Sequence, residues 1–387
     1  MVTLHSSRNP PGAAGADRLA RIGSTRRALL YGESALAVNG FSGDNWIERS
    51  WLRSLAIGHR PEDAPSFEIL ASHTLRHTLE ANHLLVQAAH PVLATLGRAI
   101  ADTRYFAILT NQNGVVVDTG GNIDRSDRRA DLITRIGTNL SEHHLATTAI
   151  GAALTELQPV WLHRGEHFFE ANAVYSCAGA PLFGPDGACV GMLDLTGIEA
   201  AERPELKHLV ARSARSIENE LALSLPHKLL IRVNWPGCTL GDDSDGLVCV
   251  DADGFVQGAN QAARQMLPQL GRASTAPLHC SDLFAMAFEM LFDMARQQGS
   301  SYTSTLEVPL WTGLRLHAMP LLLGQSAAST RLHPHGSANR TQPLKDVETA
   351  LIRKAVDDAK GNVMQAARTL GISRATVYRR LGAAAKR

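Results

Sequence analysis

The chain has 387 residues with a formal net charge of +1, a length that supports two or three domains of roughly 100 to 200 residues, each able to bury its own core. No apolar run approaches the ~18 residues that a membrane span needs, which argues against an integral membrane protein. The small net charge hides a split: residues 345–387 hold ten Lys/Arg and four Asp/Glu, while the remaining 28 basic and 33 acidic residues leave the rest mildly acidic. A basic end on an acidic body points to a polyanion as partner of that end alone.

The first 22 residues are rich in Gly, Ala, Pro, Ser and Arg without an apolar period, which predicts a disordered start. The paired arginines of "STRRALLYGESALAV" suit an export signal, but Glu33 interrupts the apolar stretch. Five cysteines at 177, 189, 238, 249 and 280 show neither CxxC nor zinc spacing and fit buried thiols of a reducing cytosol, so the expected location is cytoplasmic. Residues 23–97 read as mainly helical. Within them Ile47, Trp51, Leu52 and Leu55 share one helical face before Gly58 and Pro61 end it.

From Arg104 the period becomes two. "YFAILTNQNGVVVDTG" predicts a hairpin turning at Asn113-Gly114. A helix in "LATTAIGAALTEL", a strand in "PVWLH" and two strands joined through Gly184-Pro185-Asp186-Gly187 follow, giving an α+β domain with a sheet meander. Behind it Leu206, Leu209, Val210, Ile217 and Leu221 line one face of a helix opening near Pro204. That helix either packs on its own sheet or serves as a dimer-forming or signal-carrying element. A second α+β unit begins near Asp242, with a turn at Asp253-Gly254 and a helix capped by Asn260, and ends in the strands of "TSTLEVPL" and "RLHAMPLLL". Residues 325–343 are a Ser/Gly/Pro-rich linker; His333 and His335 within it are read as solvated, and no metal site is expected.

In the terminal module Leu351, Ile352, Ala355, Val356 and Ala359 stripe one helix. Asn362 can cap a second with Val363, Ala366, Ala367 and Leu370 inward, and Gly371-Ile372-Ser373 turns into a third. The small Ala366 and Ala367 let two helices cross closely. Val377 and Leu381 face inward, so Arg374, Ala375, Tyr378 and Arg379 point outward near the N-terminal half of the third helix, where a recognition helix meets base edges. Arg pairs bidentately with guanine and neutralises phosphate, so both readout and anchoring are available.

The pattern GN…AA..LGISR.T.YR.L over residues 361–381 resembles the Fis-type DNA-binding domain that ends bacterial enhancer-binding activators. That resemblance implies a two-fold dimer built partly by residues 346–359, and DNA contacts from Ser373, Arg374, Ala375, Thr376, Tyr378, Arg379 and Arg380. Residues 141–197 resemble the GAF sensor of the acetoin/glycerol-catabolism branch of those activators, and "SWLRSLAIGHRP" its helical opening; "DADGFVQGANQAA" is similar to a PAS core. The implied fold class is multidomain α+β: a GAF-like sensor at 98–224, a PAS-like domain at 225–324 and an all-α Fis-type helix-turn-helix domain at 344–387. A GAF or PAS sheet can leave a cavity of a few hundred Å³, and candidates to line it are His144, Trp161, His167, Phe168, Tyr175 and Cys177.

Full-length relatives of this type carry an ATPase between sensor and DNA-binding domain. Its phosphate loop needs GxxxxGK[ST], yet this sequence has no Gly-Lys dipeptide. The expected function is therefore a ligand-responsive transcription regulator without ATPase activity. It would bind inverted repeats in double-stranded DNA as a homodimer, with a small-molecule effector and RNA polymerase or a complete activator as further partners. The alternative is a docking or heterodimerising adaptor that binds DNA weakly. Cys177 lies near a histidine but has no base-and-orienter set, so no enzyme activity and no cofactor are expected.

Overall fold

The structure, a computed structural model, describes residues 11–31, 45–271, 276–297, 305–322, 363–369 and 374. The chain divides into two units, Met1–Arg331 and Leu332–Arg387.

The first unit opens with helices α1 (Pro11–Leu30), α2 (Asn45–Ile57), α3 (Ser72–Ala81) and α4 (His83–Ala99). Helix α1 starts inside the segment whose composition predicted disorder. Its C-terminal half docks instead, burying Ile22 and Thr25. Helix α2 buries Ile47 and Trp51 but leaves Leu52 outside at 52% exposure, because Leu52 follows Trp51 by one residue, about 100° around the helix. Gly58 ends α2 in a left-handed conformation, φ +102°, where glycine has no Cβ to clash.

The first sheet follows: β1 (Tyr105–Asn111), β2 (Val116–Gly120), three short helices α5 (Arg128–Thr134), α6 (Glu142–Leu145) and α7 (Ala149–Glu156), then β3 (Val160–His163), β4 (Tyr175–Phe183) and β5 (Cys189–Ile198). Its order is β2-β1-β5-β4-β3, with every neighbouring pair antiparallel. The single helix expected over residues 145–157 is split. Ala146 takes φ +53°, and Thr148 restarts α7 as its cap, Oγ1 accepting from the Gly151 amide at 3.1 Å.

Both faces of this sheet are covered, so strand alternation sorts side chains between two cores. One core takes Phe106, Ile108, Val160, Leu162 and Cys177 beneath α2, α6 and α7. The other takes Ala107, Leu109, Trp161, Leu193 and Leu195 beneath α4 and the long helix α8 (Leu206–Leu223). Leu206, Val210, Ile217 and Leu221 of α8 are buried there, as their spacing predicts.

The second sheet holds β6 (Leu229–Asn234), β7 (Gly246–Val250), β8 (Val256–Ala259), β9 (Leu306–Pro309) and β10 (Arg315–Leu322), with helices α9 (Gln261–Met266), α10 (Cys280–Leu283) and α11 (Phe288–Gln297) between β8 and β9. It is antiparallel in the order β8-β7-β6-β10-β9. Asn260 caps α9 as the sequence predicts, accepting from the Ala263 amide at 2.8 Å. The β4–β5 turn reaches this sheet: Pro185 O accepts from Ala259 N at 2.9 Å and from the Arg264 guanidinium at 2.5 Å. Gly258 permits that approach, since a Cβ there would sit 2.8 Å from Pro185 Cβ.

In the second unit the described part is α12 (Val363–Thr369), which buries Ala367, and the helical, exposed Arg374. The expected linker at 325–343 and first module helix at 346–359 lie outside the described residues.

Candidate functional site

A cavity of about 40 Å³ lies on the α6/α7 side of the first sheet. It is far smaller than the few hundred Å³ expected of such a fold, because Ile108, Ile133, Leu140, Leu145 and Ile150 project into it.

Strand alternation supplies its polar floor. In "MLDLTG" Leu193 and Leu195 belong to the α4/α8 core, which sends Asp194 and Thr196 to the opposite face. The register places Asp194 opposite Ile108 and Thr196 opposite Cys177, so all four share one patch. Thr196 Oγ1 donates to Asp194 Oδ2 and lies 3.2 Å from Cys177 Sγ. Asp194 is fully buried, and that burial raises its carboxyl to about 7, against which the Thr196 hydrogen bond works. Its second oxygen, Oδ1, has no hydrogen-bond partner among the described residues.

His167 enters from the segment after β3. Its Nδ1 lies 2.9 Å from the Arg164 carbonyl, which accepts and never donates, so Nδ1 carries the proton and Nε2 presents a lone pair. Burial depresses His167 to about 4 and keeps the ring neutral. Nε2 is buried without a partner among the described residues. The segment is held from outside by α1: the Arg26 guanidinium donates to the carbonyls of Gly165 (3.2 Å), His167 (2.6 Å) and Phe168, and sits 5.8 Å over the Trp51 ring. Trp51 Nε1 in turn donates to Glu166 O at 2.9 Å.

Of the six residues the sequence put forward as ligand contacts, His167, Tyr175 and Cys177 line this cavity. Trp161 stands one residue from Val160 and Leu162 and so faces the α4/α8 core. Phe168 is buried in the core beside the cavity, and His144 lies 3.9 Å from Glu68 near the surface. Asp194, Thr196 and Asn172 also line the cavity and were not singled out. A carboxylate alternating with leucines in a strand covered on both faces is the signal that marks Asp194. Burial pushes the Cys177 thiol well above its ordinary value, which opposes the thiolate a nucleophile requires.

The DNA-contact candidates Ser373, Ala375, Thr376, Tyr378, Arg379 and Arg380 lie outside the described residues, whereas Arg374 is helical and exposed. No helix among the described residues is long and apolar enough to cross a membrane, and no group of three His, Cys, Asp or Glu among them could hold a metal ion.

Residues 343–383 match the family described as bacterial regulatory protein, Fis family, and residues 47–219 match the N-terminal domain of MimR. A signal-transduction and transcriptional-control protein of Clostridium beijerinckii is 25% identical over 57% of this chain and 35% of its own length. The acetoin catabolism regulatory protein of Cupriavidus necator is 28% identical over 67% of this chain and 39% of its own length. One chain of the E. coli DhaR(N)–DhaL complex is matched over 72% of this chain and 100% of that one at 14% identity, with a TM-score of 0.44. The chain thus spans well under half the length of the curated relatives it matches. Over its sensor region and its Fis-type terminal region, the chain is related to sensor-linked bacterial transcriptional regulators.

Proposed function

We propose that this protein is an effector-responsive, site-specific transcription regulator that binds inverted-repeat promoter sites as a homodimer. The observation that carries the reading is the Fis-family match over 343–383, in a segment whose residues from Lys360 onward include seven basic and no acidic side chains. Residues 373–380 would supply the reading helix, with Arg374 and Arg379 offered to base edges or phosphates. The cavity of the GAF-like sensor would receive a small catabolic metabolite, as the description of the acetoin catabolism relative suggests. Helix α8 would carry the response; in support, it covers the first sheet, and its Asn219 accepts from Asn260 at the root of α9 at 2.7 Å.

The relatives' ATPase step would be missing, since the sequence carries no Gly-Lys dipeptide for a phosphate loop. The protein would then act by occupying a promoter, by recruiting polymerase or beside a complete activator, in the cytoplasm.

The test is to sequence genomic fragments retained by the full chain and by its Arg374→Ala, Arg379→Ala double variant. Enrichment of a few promoter fragments sharing an inverted repeat, lost in the variant, is the expected result. Uniform retention, or retention unchanged by the variant, overturns site-specific reading and favours an adaptor.

A further inference from the structure

The cavity of the first sheet holds two buried polar atoms that nothing among the described residues satisfies, His167 Nε2 and Asp194 Oδ1. Leaving such groups unpaired is costly, so a site that keeps two of them in one cavity is complementary to a molecule that pairs both. We infer that the cavity binds a short-chain neutral alcohol, whose hydroxyl group donates to His167 Nε2 and whose oxygen, or a second one, meets the Asp194 carboxyl. This rests on the cavity being the effector site proposed above.

Three features restrict the ligand. The first is size: at roughly 10 to 15 Å³ for each water-sized atom group, about 40 Å³ admits about three to four non-hydrogen atoms. The second is donor character. The Arg164 carbonyl takes the Nδ1 proton, so Nε2 can only accept, and a ketone or ether would leave it as it stands. The third is charge. No Lys or Arg is among the lining residues, so a carboxylate would enter without a countercharge, and the walls are largely aliphatic. The Asp194 carboxyl, raised to about 7 by burial, is available as a neutral acid whose free oxygen donates to a ligand oxygen. A cation would have to draw the proton off that acid, with one carboxylate as its whole compensation.

Four probes of four non-hydrogen atoms each separate these features: 2-propanol, acetone, acetate and isopropylammonium. Each is titrated against the full chain and against His167→Phe, with the shift of the thermal midpoint fitted to a Kd. The expected result is that 2-propanol binds at least about tenfold tighter than acetone, which has its outline without the donor. Acetate and isopropylammonium follow behind both, and His167→Phe removes the preference for the alcohol. The ranking in the unmodified chain tests the inference even if the variant does not fold. Acetone equal to 2-propanol, or a charged probe ahead of it, overturns the ligand class and leaves an effector cavity standing. No saturable binding by any of the four overturns the ligand class and, with it, this cavity as the effector site.

Discussion

Each of the two sheets buries an aspartate completely, and the two are treated in opposite ways. Asp245, beside the second sheet, accepts from Arg232 at 3.0 Å, Asn234 at 3.2 Å and the Gly241 amide at 2.7 Å, and Arg232 is itself 6% exposed. Asn260 extends the cluster, donating to Asp245 O and Asn219 Oδ1 while its own Oδ1 accepts from Leu247 N and Ala263 N. That network is closed from within. Asp194 in the first sheet has one internal donor and one free oxygen, beside an equally unpaired histidine nitrogen. A satisfied buried network holds a structure together, whereas an unsatisfied one in a cavity is a specification for something absent.

The sharpest way to break this contrast is Arg232→Ala. It strands Asp245 as an uncompensated buried charge, and a loss of about 3–5 kcal/mol of unfolding free energy is expected in denaturant titrations. A loss under about 1 kcal/mol would show that the second network is not what closes that sheet.

Asp194→Asn should behave differently, with an effect set by pH. The folded-state carboxyl is raised to about 7 from an ordinary 3.8, so the folded state holds the proton over a range where the unfolded chain has released it. Its stabilising contribution is complete below about pH 4, is lost as pH rises to about 7 and changes no further above. The aspartate chain should therefore fall behind the asparagine variant over that window by on the order of 3 kcal/mol. Burial of His167 acts in both chains and cancels in the comparison. Parallel stability curves from pH 4 to 8 would contradict the burial argument.

A third prediction concerns the terminal region. Arg374→Ala should cost about 1–3 kcal/mol of affinity at a preferred DNA site if the side chain reads a base, measured by fluorescence anisotropy against a scrambled site. A smaller loss, equal on both sites, would make it a phosphate contact. The smallest effect is expected at the exposed Arg315–Glu307 pair, 3.1 Å apart: Glu307→Gln should change stability by under about 0.5 kcal/mol.

The strands other than β6, which precedes the expected start of the second unit near Asp242, both turns at Gly187 and Gly254 and the Asn260 cap were legible because each rests on local chemistry that the sequence states directly. Helix α1 was not. Its Ala/Gly/Arg composition has no apolar period, and what fixes it is the reach of Arg26 to carbonyls some 140 positions later. In the cavity, polar and aromatic character pointed to His167, Tyr175 and Cys177, but composition cannot say which way a side chain faces. Trp161 lies on the other side of the same sheet because the strand period is two and its neighbours Val160 and Leu162 fill the cavity-side core. Asp194 was passed over because a carboxylate within "MLDLTG" reads as an outward residue until α4 and α8 are seen to cover the opposite face. The small volume was also beyond the sequence, since it depends on how far five aliphatic side chains from separate elements meet.

The claim that ties the two ends of the chain together is that the state of the first-sheet cavity sets the affinity of the terminal region for DNA. The direct measurement is the affinity of the full chain for an enriched promoter fragment as 2-propanol is titrated, in parallel with His167→Phe. The account predicts that the alcohol shifts the affinity of the unmodified chain and leaves that of the variant unchanged. An affinity indifferent to the alcohol, or a shift that persists in His167→Phe, would contradict it.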